Sequence, residues 1–489
     1  MKKRISLILA LALAAASFAG CAKKAPDPLP VDAAPETTVE ETTAEEPVCR
    51  LNDHLLADYA IIYSDTALDY NKTAATYLAE QIEACTGIAL PVYTDAEKKE
   101  ALPHEIVVGE TNRAISAALD AKTEGFRFAF LADKDHVAME GEYFVIAAAA
   151  YYFMENYIGA APFAASVPTE TSICEPITKE PKNVIFLIGD GMGPNQTTLF
   201  NAYSAKELEA YSDGESAFYG YMFPHIGWAR TKSLSGTTDS AASGTALASG
   251  FKTINGYVGM DKNKNDVKSL TEFAIELGKS TAVMSTEPLH GATPAAFSAH
   301  SVSRDNTEDI KADQAMLKDT HGTRILGEYG ASYTQYTVKY LMETHIRNTL
   351  KALSENENGF FIMFEEAYFD KNSHSNLMKE TFLAGLRFNQ AIGTFMEFAF
   401  YHPDTFVLIT ADHETGGLQR ASDGTYYYTS TSHTSADVPV FAYGVGSEVF
   451  HGVTVENIQI PKTIAKMWGI DIIGTDNDKY PALVPAGAK

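Results

Sequence analysis

Residues 183–193 read NVIFLIGDGMG. The apolar run is unbroken, so it has no polar face to turn toward water. Such a run suits a strand covered on both sides. It ends in Gly-Asp-Gly, which lets the backbone turn sharply and leaves one carboxylate at the strand's end. Four more stretches share this design: STAVMSTE (280–287), GFFIMFEE (359–366), DTFVLITADHE (404–414) and VPVFAYG (438–444). Helical stretches lie between them. This alternation predicts an α/β fold with a largely parallel central sheet. Several runs end in Asp, Glu or His. Ligands of open α/β sheets gather off the carboxyl ends of the strands. The chain therefore delivers oxygen and nitrogen ligands repeatedly to one sheet edge. No internal repeat is present.

The chain has 489 residues and is 45% hydrophobic, enough for a large core and two or three domains. Its net charge of −25 argues against nucleic acid as a partner. An anionic substrate would need a local positive source, such as bound metal. Residues 1–21 have a basic start, a short apolar run and a small-residue end, the pattern of a secretory signal. Phe18-Ala19-Gly20-Cys21 resembles a bacterial lipobox. It implies lipidation of Cys21 and anchoring to the membrane, at the bacterial cell surface or in the periplasm. An ordinary secreted protein cut elsewhere is the other reading. Residues 22–48, rich in Pro, Thr, Ala and Glu, are expected to form a disordered acidic tether.

Residues 49–175 read as a smaller α/β unit. Short strands are expected in ADYAIIYS, LPVYT, HEIVVGET, FRFAFLAD and HVAMEGE, with helices in KTAATYLAEQIEACTG and FVIAAAAYYFMENYIGA. Its pattern is similar to that of the small non-catalytic domain upstream of the catalytic domain in β-hexosaminidases and α-glucuronidases. That resemblance implies possible contact with glycan or cell wall. No cluster of catalytic residue types is evident in it. Cys49 and Cys174 flank the unit and can pair if its ends meet, whereas Cys85 is expected in the core. The catalytic half is expected over 180–489.

Within that half, Asp190 follows the first strand. Glu365 closes another, and Asp370, Lys371 and His374 follow it; Asp370 and His374 share a helix face. Asp412 and His413 end a third strand. His433 lies among hydroxyl residues. Thr293 offers a hydroxyl ligand for a hard cation, and Arg304 a planar fork for phosphate oxygens. Ser240, in TTDSAASGTALASG (237–250), stands where a helix begins, a position that favours an anion. Each segment alone has a plain structural reading: a turn, a solvated helix face or a Ser cap.

Together, IGDGMG, TDSAASGTA, ATPAA with SR soon after, FEEAYFDKNSH, TADHETGG and SHT match, in order, the alkaline phosphatase family. The resemblance covers roughly residues 182–470. It implies a three-layer α/β sandwich that hydrolyses small phosphate monoesters, with Ser240 as the nucleophile that becomes phosphoserine. It implies two Zn²⁺, one held by Asp370, His374 and His433 and the other by Asp190, Asp412 and His413. It implies one Mg²⁺ held by Asp190, Thr293 and Glu365. Arg304 would bind the phosphoryl group and Lys371 would hold phosphate through water. One departure stands out. Two residues before Thr293 the family usually carries Asp or His, and this chain carries Gly291. The sequence leaves the oligomeric state open. A phosphodiesterase of the same superfamily, or a surface glycan-binding protein with an inactive phosphatase domain, are the rival readings.

Overall fold

The structure is a computed structural model that describes residues 48–65, 69–119, 125–204, 206–208, 215–321, 324–326, 335–471 and 473–484. The signal segment, the lipobox Cys21 and nearly all of the tether lie outside the described residues. From Pro47 onward the chain forms one compact unit. Among the described residues no helix is long and apolar enough to cross a membrane.

Among the described residues the larger sheet has eight strands, in the order Arg324–Leu326, Ser280–Ser285, Phe360–Glu366, Asn183–Gly189, Thr405–Thr410, Val438–Tyr443, His225–Arg230 and Thr454–Glu456. The first five pair in parallel. Strand Val438–Tyr443 runs antiparallel to both of its neighbours. The strand Asn183–Gly189 sits inside the parallel part, and all seven of its residues are buried. This is what its unbroken apolar run requires, because helices cover the sheet on both faces. All five apolar runs fall in this one sheet. Strands His225–Arg230 and Thr454–Glu456 lie at its far side and carry mixed burial. They lack the unbroken apolar signature and were not legible as strands.

The smaller sheet has, among the described residues, six strands in the order Val92–Thr94, Ala60–Tyr63, Glu105–Val108, His136–Gly141, Phe128–Ala132 and Ser172–Cys174. Helix Tyr70–Thr86 ends at Gly87, whose φ of 74° is the left-handed conformation expected of a glycine cap. Helices Tyr70–Thr86 and Ile146–Tyr157 pack on each other, and Ile146–Tyr157 also packs on helix Met378–Tyr401 of the larger layer. Aromatic side chains join the layers. Tyr77 stacks on Tyr401 at 4.1 Å between ring centroids, and Phe126 meets Phe400 edge-on at 5.2 Å.

The cysteines differ from expectation. Cys49 is buried but unpaired, Cys174 is half-buried and unpaired, and Cys85 is exposed. Cys85 lies in the last turn of Tyr70–Thr86, whose buried face is formed by Ala74, Ala75, Leu78 and Ile82. Position 85 shares the helix face of Leu78 and Ile82 but sits in the last turn, where it is exposed.

Candidate metal and phosphate site

The opening stretch delivers Asp190 beside two neighbours. Asp190 follows the strand Asn183–Gly189. Register sets Ile188 opposite both Glu365 and Thr410 on the flanking strands. Three acidic strand ends therefore meet at one edge. Gly191 has φ 76°, and a Cβ there would lie 2.7 Å from Asp370 Cα. Only glycine lets the Asp190 loop approach the helix Tyr368–His374 so closely.

Two groups of candidate ligands result: Asp370, His374 and His433, and Asp190, Asp412 and His413. In each, the ligand atoms all lie within 4.8 Å of one another. In the first, Asp370 Oδ1 is 3.2 Å from His374 Nε2 and 3.3 Å from His433 Nε2. In the second, His413 Nε2 is 3.1 Å from Asp412 Oδ2 and 3.6 Å from Asp190 Oδ1. The groups adjoin, for the His413 and His433 rings stack at 3.7 Å.

The surroundings aim these atoms. His374 Nδ1 donates to Thr431 O at 2.6 Å and His433 Nδ1 donates to Thr238 O at 2.9 Å. A carbonyl can only accept, so each ring carries a proton on Nδ1 and turns its Nε2 toward the site. Asp412 Oδ1 accepts from the backbone N–H groups of Gly191 and His413 at 3.1 and 2.9 Å. Thr415 Oγ1 donates to Asp370 Oδ1 at 2.5 Å. Asp190 divides its oxygens. Oδ1 faces His413, and Oδ2 accepts from Thr293 Oγ1 at 3.5 Å.

The charges are unfavourable without a cation. Asp190 Oδ1, Asp412 Oδ2 and Glu365 Oε1 are buried and have no hydrogen-bond partner. Burial, with Asp412 and Asp370 alongside, pushes the Asp190 carboxyl well above its usual range. Burial and Glu287 do the same to Glu365. Burial and Asp370 push Asp412 up to about 7. Burial, with His433 beside it, lowers His413 to about 3. Asp370 goes the other way: burial opposes it, but hydrogen bonds from His374 and His433 hold it well below the usual range. Orphaned buried carboxylate oxygens beside inward-facing imidazole nitrogens fit divalent metal.

Ser240 is the first residue of helix Ser240–Ser249, and Asp239 is its cap, accepting from Ala242 N at 3.0 Å. Ser240 is thus not the cap itself. Its hydroxyl is free to face the second group, with Oγ 3.2 Å from His413 Nε2. The same Asp239 accepts from Arg304 Nη1 at 3.4 Å and so sets the guanidinium near the helix start. Burial opposes the charge on Arg304, but Asp239, Asp190 and Glu287 together outweigh it and raise its affinity for its proton. The ligands lie deep, with Asp412, His413, Glu365 and Thr293 fully buried. The side chains of Arg304 and Lys371 are 38% and 44% exposed, so positive groups line the mouth.

One residue escaped the sequence reading. Glu287, at the end of STAVMSTE, reaches back so that a Cβ on Gly291 would overlap Glu287 Oε1. Glu287 Oε2 accepts from Lys371 Nζ at 2.5 Å; burial opposes the Lys371 charge, but Glu287 with Asp190 and Glu365 pushes it up to about 12. A carboxylate therefore occupies the space left by Gly291, supplied from four residues upstream. The signal was available, since Glu287 follows a buried strand as Glu365 closes its own.

A serine at a helix start, facing two histidine–carboxylate groups on the carboxyl edge of a mostly parallel sheet, defines an α/β protein with a candidate two-metal centre. The profile of the alkaline phosphatase family matches residues 181–329 and 334–429, and the chain belongs to that family. It is 30% identical to alkaline phosphatase 4 of Bacillus subtilis over 297 residues, 50% of this chain and 64% of that one. It is 37% identical to the Escherichia coli alkaline phosphatase over 127 residues, 26% of this chain and 27% of that one. The chain thus spans less than two thirds of the length of these relatives. The alkaline phosphatase of the Antarctic bacterium TAB5 superposes with a TM-score of 0.53 at 28% identity, covering 60% of this chain and 100% of that one. A substituted form of the TAB5 enzyme carries magnesium in its M3 site. The family profile begins at residue 181, so the smaller sheet lies outside it.

Proposed function

We propose that this protein hydrolyses small phosphate monoesters through a phosphoserine on Ser240. The observation that carries this reading is Ser240 Oγ, 3.2 Å from His413 Nε2 at a helix start, beside two groups of inward-facing ligands. In this reading Asp370, His374 and His433 hold one zinc, and Asp190, Asp412 and His413 hold the other. Asp190, Thr293 and Glu365 hold magnesium. The ions, when bound, supply Lewis acidity that lets a hydroxyl react as an alkoxide and offsets the charge of attacking and leaving oxygens.

The chain's own residues do the rest. Ser240 Oγ attacks the phosphorus, the ester oxygen leaves, and water then cleaves the phosphoserine to return the hydroxyl. The free N–H groups at the start of helix Ser240–Ser249 face the anion. Arg304 grips the equatorial oxygens as charge builds on them, with Asp239 holding its guanidinium in place. Thr415 holds Asp370 and His413 in register by hydrogen bonds to both. Glu287 supplies a polar group where the family usually carries Asp or His, two residues before Thr293, and it positions Lys371 for water-mediated contact with phosphate.

The test is turnover of a chromogenic phosphate monoester, a diester and a sulfate ester by zinc- and magnesium-loaded protein. The monoester should be strongly preferred, and Ser240→Ala should abolish its turnover. Preference for the diester would replace the monoesterase reading. No turnover of any ester would remove the enzyme reading and leave a surface binding protein.

A further inference from the structure

The smaller sheet carries its own group of metal-ligating side chains, made by register rather than by a sequence motif. Glu105 pairs with His136 across two parallel strands, so the residues just before them, His104 and Asp135, are neighbours. His54 comes from the short strand His54–Leu55, which folds back on Arg50–Leu51. Asp135 Oδ1 lies 3.2 Å from His54 Nε2 and 3.8 Å from His104 Nδ1. The three ligand atoms all lie within 4.8 Å of one another, and the two rings are 4.0 Å apart.

Three further observations bear on what this group does. His54 Nε2 and His104 Nδ1 are buried, and neither makes a hydrogen bond. The turn that carries Asp135 is locked: Asp133 Oδ1 accepts from the N–H groups of Asp135 and His136 at 2.8 and 2.7 Å. His136, next along the chain, is already engaged. Its Nδ1 lies 3.1 Å from Asp133 Oδ1 and its Nε2 lies 3.2 Å from Leu102 O. So two imidazole nitrogens converge on one carboxylate oxygen while the adjacent histidine is left out.

A hydrogen bond from one ring to Asp135 would leave the other ring's lone pair facing an anion. A divalent cation satisfies all three atoms at once. We propose that His54, His104 and Asp135 form a metal site on the smaller sheet, independent of the candidate catalytic set. Two imidazoles with one carboxylate select a zinc-class ion over magnesium or calcium, which prefer oxygen ligands alone. Three protein ligands leave a coordination position for water, and the Asp135 side chain, 43% exposed, marks the side from which the ion enters. The bound ion would clip the hairpin at residues 50–55 to the end of the sheet.

The experiment is carbethoxylation of the full-length chain with and without zinc chloride, read residue by residue by mass spectrometry. Zinc is expected to slow modification of His54 and His104 by at least about tenfold, with His136 as the unaffected control. Asp412→Asn should leave this protection intact. Asp135→Asn should remove it while monoester turnover is unchanged. Should Asp135→Asn fold poorly, protection of His104 in His54→Gln is read instead and should also be lost. Equal rates with and without zinc would overturn the proposal. So would protection that disappears in Asp412→Asn, because it would then report stabilisation through the other centre.

Discussion

At the scale of single residues, the most informative pair is Gly291 and Glu287. A glycine where relatives carry a polar side chain reads as a loss. In space the position is filled, because the Glu287 carboxylate lies where a Cβ on residue 291 would go and meets Lys371. The two positions should therefore be coupled. Glu287→Ala should weaken magnesium binding about 10–100-fold, the usual cost of losing a group that orients a metal's ligands. Gly291→Asp alone should also be harmful, since two carboxylates then compete for one space. The double variant should recover most of the loss. A magnesium titration of turnover measures all three, and simple additivity would show that the positions are not coupled. Most metal-ligand candidates were legible because several buried strands end in Asp, Glu or His and six segments match one family in order. Glu287 was passed over because its role depends on an absence four residues away.

At the scale of elements, helix Ser240–Ser249 explains the string of small residues around Ser240. All ten of its residues are buried. It packs on the short helix Ala292–Ala296, which carries Thr293. A Cβ at Gly244 would lie 3.1 Å from Ala296 Cβ and 3.3 Å from Thr293 Cα. Gly244→Leu should thus separate the two helices. Overpacking of this kind costs about 1–3 kcal/mol, and thermal melts should show it. The same change should reduce magnesium affinity more than zinc affinity, because it displaces Thr293 and leaves both histidine groups in place. Equal loss of both metals would argue that the helix acts only through overall stability. Composition alone could not separate this helix from a linker, because Gly, Ser and Ala serve both close packing and flexible chain. Burial is what distinguishes them.

At the scale of the whole molecule, the two sheets share an apolar seam. Phe126 contacts Phe223, Phe400 and Tyr443, and Phe144 contacts Tyr219. Both sheets are therefore expected to unfold in one transition. The buried carboxylates Asp190, Glu365 and Asp412 oppose one another until metal is bound. Chelation should accordingly lower the temperature of that transition. Each site held at a hundredfold excess of ion over its dissociation constant contributes about 2.7 kcal/mol. Calorimetry with and without chelator measures it, and an unchanged melt would contradict metal binding at these groups. The seam was not legible in sequence. Its aromatic residues come from segments roughly 75 to 320 residues apart and carry no local pattern.

The sequence by itself determined the α/β class, the strands of the sheet interior and most of the ligand candidates. Unbroken apolar runs admit only a sheet covered on both faces, and a strand's end fixes where its next side chain goes. Which ligands share a group was implied by the family resemblance and not by any local run, and the fold is what brings them together: His433 meets Asp370 and His374, and Asp190 stands between His413 and Thr293. Tertiary structure alone decided that Cys49, Cys85 and Cys174 stay unpaired, that Glu287 fills the space beside Gly291, and that His54 meets His104 and Asp135. These are contacts between segments distant along the chain. Register and packing, rather than any local run of residues, bring them together.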